Sequence, residues 1–304
     1  MIGGVTIRLT PRGDGIAAKV VPGDPLPLDR LLIGKPVAEA AALMPRLFNL
    51  CRAAQATAAH LALGLPAPDD ALRLEAEVLR DHMVKLFLTL PQLLGLSPRP
   101  FPAKGTEAGS LFGATGRFPE TPAAFDRWLA AGEGVAPVLS ALCDRFRPGE
   151  AVADLPDVTE ATALAPIARE NSCALRHAGH PVLDRLAATH GRGPLWRTAA
   201  RVRDASACLD RALPAPRILT DGTVVTPAAR GQYAVKARAE DGCVAAFRRV
   251  TPTDHLLAPG GMLTQSFASL PPAKADLSAL LIEILDPCLP VSLTQVMESE
   301  ARDA

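Results

Sequence analysis

Asp286-Pro287-Cys288 toward one end of the chain, and Pro45-Arg46-Leu47-Phe48-Asn49-Leu50-Cys51 toward the other, decide how this sequence is read. An Asp followed by Pro has the chemistry of a helix start. The carboxylate accepts from free amides, and Pro at the first helical position gives up no hydrogen bond. That reading puts Cys288 in a first turn, where the helix dipole favours an anion by about 0.3–1 kcal/mol and tips the thiol toward thiolate. A thiolate is a metal ligand or a nucleophile. A cysteine at a helix start also serves as a small buried packing residue, and both readings stay open at this point.

Working outward, the bulk properties narrow the class. The 304 residues are 48% hydrophobic, enough for a sizeable core, and the formal charge is zero. That balance predicts neither nucleic-acid binding nor a polybasic membrane patch. The opening MIGGVTIRLT has no apolar run of signal-peptide type, and no segment reaches the roughly 18 apolar residues of a spanning helix. The expectation is a soluble, cytoplasmic protein with no membrane partner. The six cysteines, Cys51, Cys143, Cys173, Cys208, Cys243 and Cys288, form no C-x-x-C pair. This is neither a disulfide framework nor a local zinc site, so a metal site must draw on residues far apart in sequence.

The periodicity predicts an α+β fold. It has a mainly helical core and β-hairpins near the N-terminus and at 223–251, in a single domain over 1–304. Val5, Ile7 and Leu9 alternate with polar residues up to Asp14-Gly15, and Ile16, Ala18 and Val20 follow. Steps of three and four run through Leu43, Leu47, Leu50, Ala54, Ala58 and Leu61, predicting helix over 36–64. They recur through Leu72, Ala76, Leu79, Met83, Leu86 and Leu90. Segments 122–146 and 160–210 read as more polar helices. Tyr233 to Glu240 alternates, Asp241-Gly242 turns, and Cys243 to Val250 returns, the strongest hairpin signal in the chain. Residues 275–285 read as a final apolar helix or strand. The prolines of 91–122 and 211–227 read as long irregular connections.

In order along the chain, these motifs resemble the large subunit of nickel-iron hydrogenases. Arg46 and Cys51 match the N-terminal R-x-C-G-x-C, and Asp286-Pro287-Cys288 matches the C-terminal D-P-C-x-x-C. Asp81-His82 with Phe87 is similar to the family's D-H-x-x-H-F-Y helix, with Lys85 at the second His. Ala229-Arg230-Gly231 resembles P-R-G, and Val250-Thr251-Pro252-Thr253 resembles V-x-P-T. In the family, four thiolates hold nickel and an iron that carries cyanide and carbon monoxide. Here Phe48 and Asn49 replace the first cysteine and the glycine of the N-terminal motif, Gln55 stands at a usual histidine, Val291 replaces the last cysteine and Thr294 a processing-site histidine. Ile2 falls where a proton-relaying glutamate is usual.

Half the thiolates are therefore missing. Within the superfamily, the sequence resembles the accessory group of hydrogenase expression/formation proteins, which look like shortened large subunits. The resemblance implies a non-enzymatic assembly role, with the hydrogenase large subunit and small maturation chaperones as partners. It implies Cys51 and Cys288 as ligands of a transient iron fragment carrying cyanide and carbonyl, and no nickel. Arg230 and Thr253 would donate to that fragment's diatomic ligands, and Asp286 and Asp81 would orient the guanidinium. The alternatives are an Arg230 that pairs internally with Asp286, Asp81 pairing with Lys85 one turn on, a metal-free chaperone, and a divergent catalytic subunit. Cys143, Cys173 and Cys208 are expected to be packing residues and Cys243 an exposed one. His177 and His180 are expected on a solvated helix face.

Overall fold

The computed structural model describes residues 3–48, 50–68 and 71–295. The calls on Ile2 and Asn49, and the side chain of Leu72, lie outside what it describes.

The N-terminal hairpin forms as its alternation predicts. Strands β1 (Val5–Arg12) and β2 (Gly15–Pro22) pair antiparallel, with Val5, Ile7 and Leu9 facing inward. Gly13 makes the turn at φ +57°, a conformation open to glycine without a Cβ clash. Helices α1 (Leu28–Leu32), α2 (Val37–Leu47) and α3 (Arg52–Ala62) follow. The predicted helix over 36–64 is thus two helices, broken at Cys51, whose φ of 53° is left-handed. Helix α4 (Ala71–Met83) widens into a π turn over Val84–Thr89 and continues as α5 (Leu90–Leu94). Helices α6 (Glu107–Phe112), α7 (Pro122–Ala131) and α8 (Ala136–Arg145) come next, the last two parted at Gly132 and Gly134, both at positive φ.

Residues 160–180 are not the helix expected of them. They run irregularly with short 3-10 turns, because their polar groups, Glu170 and Asn171 among them, serve as buried hydrogen-bonding posts. Helix is regained in α9 (Pro181–His190) and α10 (Pro194–Leu209). Helix α10 is buried along nearly its whole length, packing on α4, α8, α9 and α13 (Ser278–Leu285). Around it lies the main core, which also takes in the inner face of the first sheet.

Strands β3 (Arg217–Ile218), β4 (Val224–Ala228), β5 (Gly231–Glu240) and β6 (Cys243–Val250) form a second, antiparallel sheet in chain order. Part of the proline-rich 211–227 is therefore strand. The β5–β6 hairpin turns at Asp241-Gly242, both at positive φ, as its dipeptide predicts. A second apolar cluster lies between this sheet and helices α2 and α3. Helices α11 (Pro252–Leu257) and α12 (Met262–Ala268) lead to α13.

Asp286-Pro287-Cys288 is a helix stop, not a start. Asp286 closes α13 in the left-handed conformation, φ 54°, and the chain runs on through Pro287 and Cys288 into strand β7 (Val291–Gln295). Asp tolerates that conformation better than most residues, and Pro cannot continue a helix. No first-turn dipole therefore acts on Cys288. Strand β7 joins the first sheet parallel to β1, Val5 opposite Val291. Among the described residues no helix is long and apolar enough to cross a membrane.

Candidate metal-fragment site

Cys51 is placed by the break between α2 and α3, and Cys288 by the extended exit from α13. Both line one cavity of about 680 Å³, together with Arg230, Thr253 and Phe48. Arg230 sits in the tight link between β4 and β5, and Thr253 in the first turn of α11. That helix is fixed by Thr251, whose hydroxyl accepts from the Asp254 N–H while the Asp254 carboxylate accepts from the Thr251 N–H at 2.7 Å.

Each sulfur has its own donor. The Arg230 Nη1 donates to Cys51 Sγ at 3.3 Å, and the Thr253 hydroxyl donates to Cys288 Sγ at 2.9 Å. The Thr253 oxygen in turn accepts from the Cys288 N–H at 2.9 Å, so residue and hydroxyl are locked together. Burial pushes the Cys51 thiol up to about 12, against the pull of Arg230, so the free protein holds it protonated at neutral pH.

Arg230 pairs internally with Asp286, one of the two sequence alternatives, and also faces the Cys51 sulfur. Its Nε donates to the Asp286 carbonyl at 3.1 Å, its Nη2 to the Asp286 carboxylate at 3.2 Å, and its Nη1 also to Asp81 at 3.3 Å. Asp286 and Asp81 thus both pair with the guanidinium. Lys85, however, pairs with Asp286 at 3.0 Å and with Glu283, not with Asp81. The π turn that carries Lys85 alters the one-turn register assumed for the pair.

The sequence reading missed what lies behind Asp286. Its second oxygen accepts from Arg201 at 3.1 Å. Arg201 also donates to His82 Nδ1 at 3.2 Å, whose Nε2–H donates to Asp204 at 2.7 Å. Burial lowers the His82 pKa, so the ring is neutral, and its two partners assign this tautomer. Asp204 is further held by Arg176 and, at 2.8 Å, by His177. The side chains of His177 and His180 are covered, not solvated. The signal was present: Arg197, Arg201 and Asp204 fall at i, i+4 and i+7 in an alanine-rich helix, one charged stripe on a buried element.

His82, Cys173 and Asp204 offer ligand atoms within 4.8 Å of one another. The Asp204 carboxylate is already met by the Arg176 guanidinium and two imidazoles, with Arg201 beyond, so this group is an ion-pair hub that opposes a further cation. Cys173 and Cys208 are buried packing residues, Cys143 is exposed, and Cys243 is half-buried because Pro36 bridges to it. Gln55 donates to the Leu50 carbonyl at 3.0 Å and so ties down the loop before Cys51. Val291, in β7, is not among the residues lining the cysteine cavity.

The hydrogenase expression/formation protein HupK of Rhodobacter capsulatus is 49% identical over 295 residues, spanning 95% of this chain and 97% of that protein. The chain belongs to the HupK family of hydrogenase expression/formation proteins. No protein-family model matches it. In fold, it is similar to the nickel-iron-selenium hydrogenase of Desulfovibrio vulgaris Hildenborough, with TM-score 0.60, 15% identity, and 92% of this chain and 94% of that one covered. The reduced, active nickel-iron-selenium hydrogenase of Desulfomicrobium baculatum aligns with TM-score 0.60 at 13% identity, covering 92% and 95%. The HupK-family chain thus has a hydrogenase large-subunit-like α+β fold, and its membership is that of an accessory protein of hydrogenase formation.

Proposed function

We propose that this protein acts in hydrogenase formation as a non-enzymatic scaffold. It holds an iron fragment bearing cyanide and carbonyl transiently on Cys51 and Cys288 and passes it on without taking up nickel. The reading rests on one observation: two cysteines from opposite ends of the chain line one cavity, each sulfur with a hydrogen-bond donor. The donor set fits such cargo. Thiolates suit soft metals, and two of them leave positions for diatomic ligands. Iron must displace the Cys51 proton, which burial holds tightly, and Arg230 offsets the charge that results. Reprotonation then favours release, the behaviour a carrier needs. Membership of a hydrogenase-formation family and the large-subunit-like fold support the hydrogenase large subunit and small maturation chaperones as partners, and a cytoplasmic site of action is part of the same proposal.

The test is production of the protein together with the maturation machinery, followed by iron analysis and infrared spectroscopy. The expected result is labile iron with cyanide and carbonyl stretching bands, lost in a Cys51→Ser, Cys288→Ser double variant along with hydrogenase maturation. A double variant that supports maturation fully would replace carriage with a metal-free chaperone role. Tightly bound nickel with hydrogen–dye activity would overturn the scaffold reading altogether.

A further inference from the structure

The charges lining the Cys51–Cys288 cavity are lopsided. Its walls carry Arg46, Arg230 and Arg249 against a single carboxylate, Asp254. Asp254 is engaged in the cap of α11, and the Arg230 charge is matched by Asp286 and Asp81. Arg249 is different. Among the described residues, no carboxylate lies within ion-pair distance of it.

Arg249 is nevertheless held in place. Its guanidinium carbon lies 4.1 Å from the centroid of the Phe48 ring, a cation–π contact that fixes the plane of the fork. Phe48 itself is 6% exposed, so the platform is rigid. The residue that the resemblance sets in place of a cysteine thus carries a cation. Beside it lies the buried Tyr233, whose phenol faces the Arg249 guanidinium. Arg249 lies close enough to that phenol to oppose the upward push of burial on it. A pre-oriented, unneutralised guanidinium beside a low-dielectric wall attracts anions and repels cations.

We propose that Arg249, laid over Phe48, makes the outer part of this cavity an entrance selective for small anionic ligands, anionic metal complexes included. As to cargo, the proposal rests on the carriage reading above: ferrous iron with two cyanides carries no net charge as it enters and becomes net negative once the Cys51 and Cys288 thiolates hold it, whereas free ferrous or nickel ions are cations that the Arg249 charge repels. The entrance would therefore favour preassembled cargo over bare metal.

The test uses the metal-free full-length protein and hexacyanoferrate(II), an anionic complex that takes no further ligand and so needs no cysteine. Isothermal titration calorimetry is run at low and raised salt. The wild type is expected to bind, less tightly as salt rises. Arg249→Gln should weaken binding about tenfold, as expected for losing one charge-assisted contact. Arg249→Lys should fall between the two, keeping the charge without the stacked fork. Phe48→Leu, which keeps an apolar side chain but removes the ring, should weaken binding about threefold through loss of the cation–π contact. Thermal melts confirm that each variant is folded. Wild-type protein that does not bind the probe, or an Arg249→Gln variant that binds as tightly as wild type, overturns the entrance. Failure of iron carriage in the infrared experiment leaves this titration untouched, so the two readings fail separately.

Discussion

Replacing Asp286 by Asn isolates one buried charge. Asn tolerates the left-handed backbone as well as Asp does, so the φ of 54° does not confound the change. The Asp286 carboxylate, 4% exposed, neutralises Arg230 at 3.2 Å, Arg201 at 3.1 Å and Lys85 at 3.0 Å. An amide accepts one of those bonds but turns its NH₂ toward a second cation. Removing one partner of a buried ion pair costs about 3–5 kcal/mol because the other is left uncompensated. Arg201 is left facing only the neutral His82, while Arg230 keeps Asp81 and Lys85 keeps Glu283, so the lower part of that range applies. A melting temperature lower by about 5 °C follows.

The pH dependence has a definite sign. The three cations hold the folded-state pKa of Asp286 well below its unfolded value. The stability it contributes is therefore fully present above the unfolded pKa of about 3.9 and is lost as pH falls below it toward the folded pKa. The gap between wild type and Asp286→Asn, read from urea midpoints, should be constant from pH 5 to 7 and narrow below about pH 4. A variant that melts within a degree or two of wild type at pH 7 would refute the claim that this carboxylate is the electrostatic keystone of the site.

Other outcomes follow from the same geometry. Cys51→Gly should be within about 1 kcal/mol of wild type, since relief of a left-handed cost of about 1–2 kcal/mol offsets the lost packing. Cys51→Val, β-branched at the same φ, should lower the urea midpoint clearly; equal midpoints for the two variants would refute left-handed strain at this position. Cys51 and Cys173 are pushed up to about 12 by burial. Their folded-state pKa values lie above the unfolded value of about 8.5, so their contribution is full below that pH and is lost as pH rises toward 12. A melting temperature that falls progressively above pH 8.5, with the loss reduced in a Cys173→Ala variant, checks this. In the metal-free protein, alkylation of Cys51 by iodoacetamide should be slow at pH 7 and rise about tenfold per pH unit, as the thiolate fraction does; mass spectrometry reads it.

The hairpins were legible because a two-residue turn and a period of two are local signals: Asp241-Gly242 carries its own backbone geometry. The helical periodicity of 43–61 and 72–90 was legible, but the interruptions were not, and Leu50, counted on the first stripe, is exposed. Cys51 breaks the first helix through a left-handed residue that no periodicity marks, and the π turn at Val84–Thr89 leaves the apolar spacing almost intact. Asp286-Pro287 misled because the same dipeptide serves either end of a helix: Asp caps an N-terminus or adopts a left-handed stop, and Pro opens one helix or forbids the continuation of another. Residues 160–180 read as helix from their alanines and arginines, yet their backbone is organised by long-range polar contacts. Of the site, Cys51, Cys288, Arg230, Thr253, Asp81 and Asp286 come together as a set. Arg201 was missed although its charged stripe on an alanine-rich helix marks it, and Arg249 was invisible, since a charge on a strand declares itself only once burial is known.

Strand β7 sets the timing. Cys288 is aligned by a segment that runs directly into the parallel pairing of residues 291–295 with 5–9, so the first strand of the chain waits for the last. A nascent polypeptide that has already emerged past Cys51 has one sulfur and one wall of the pocket, and nothing opposite. On the carriage proposal, competence to accept cargo would be a post-translational checkpoint, and chain release before that closing strand would leave a protein that cannot load.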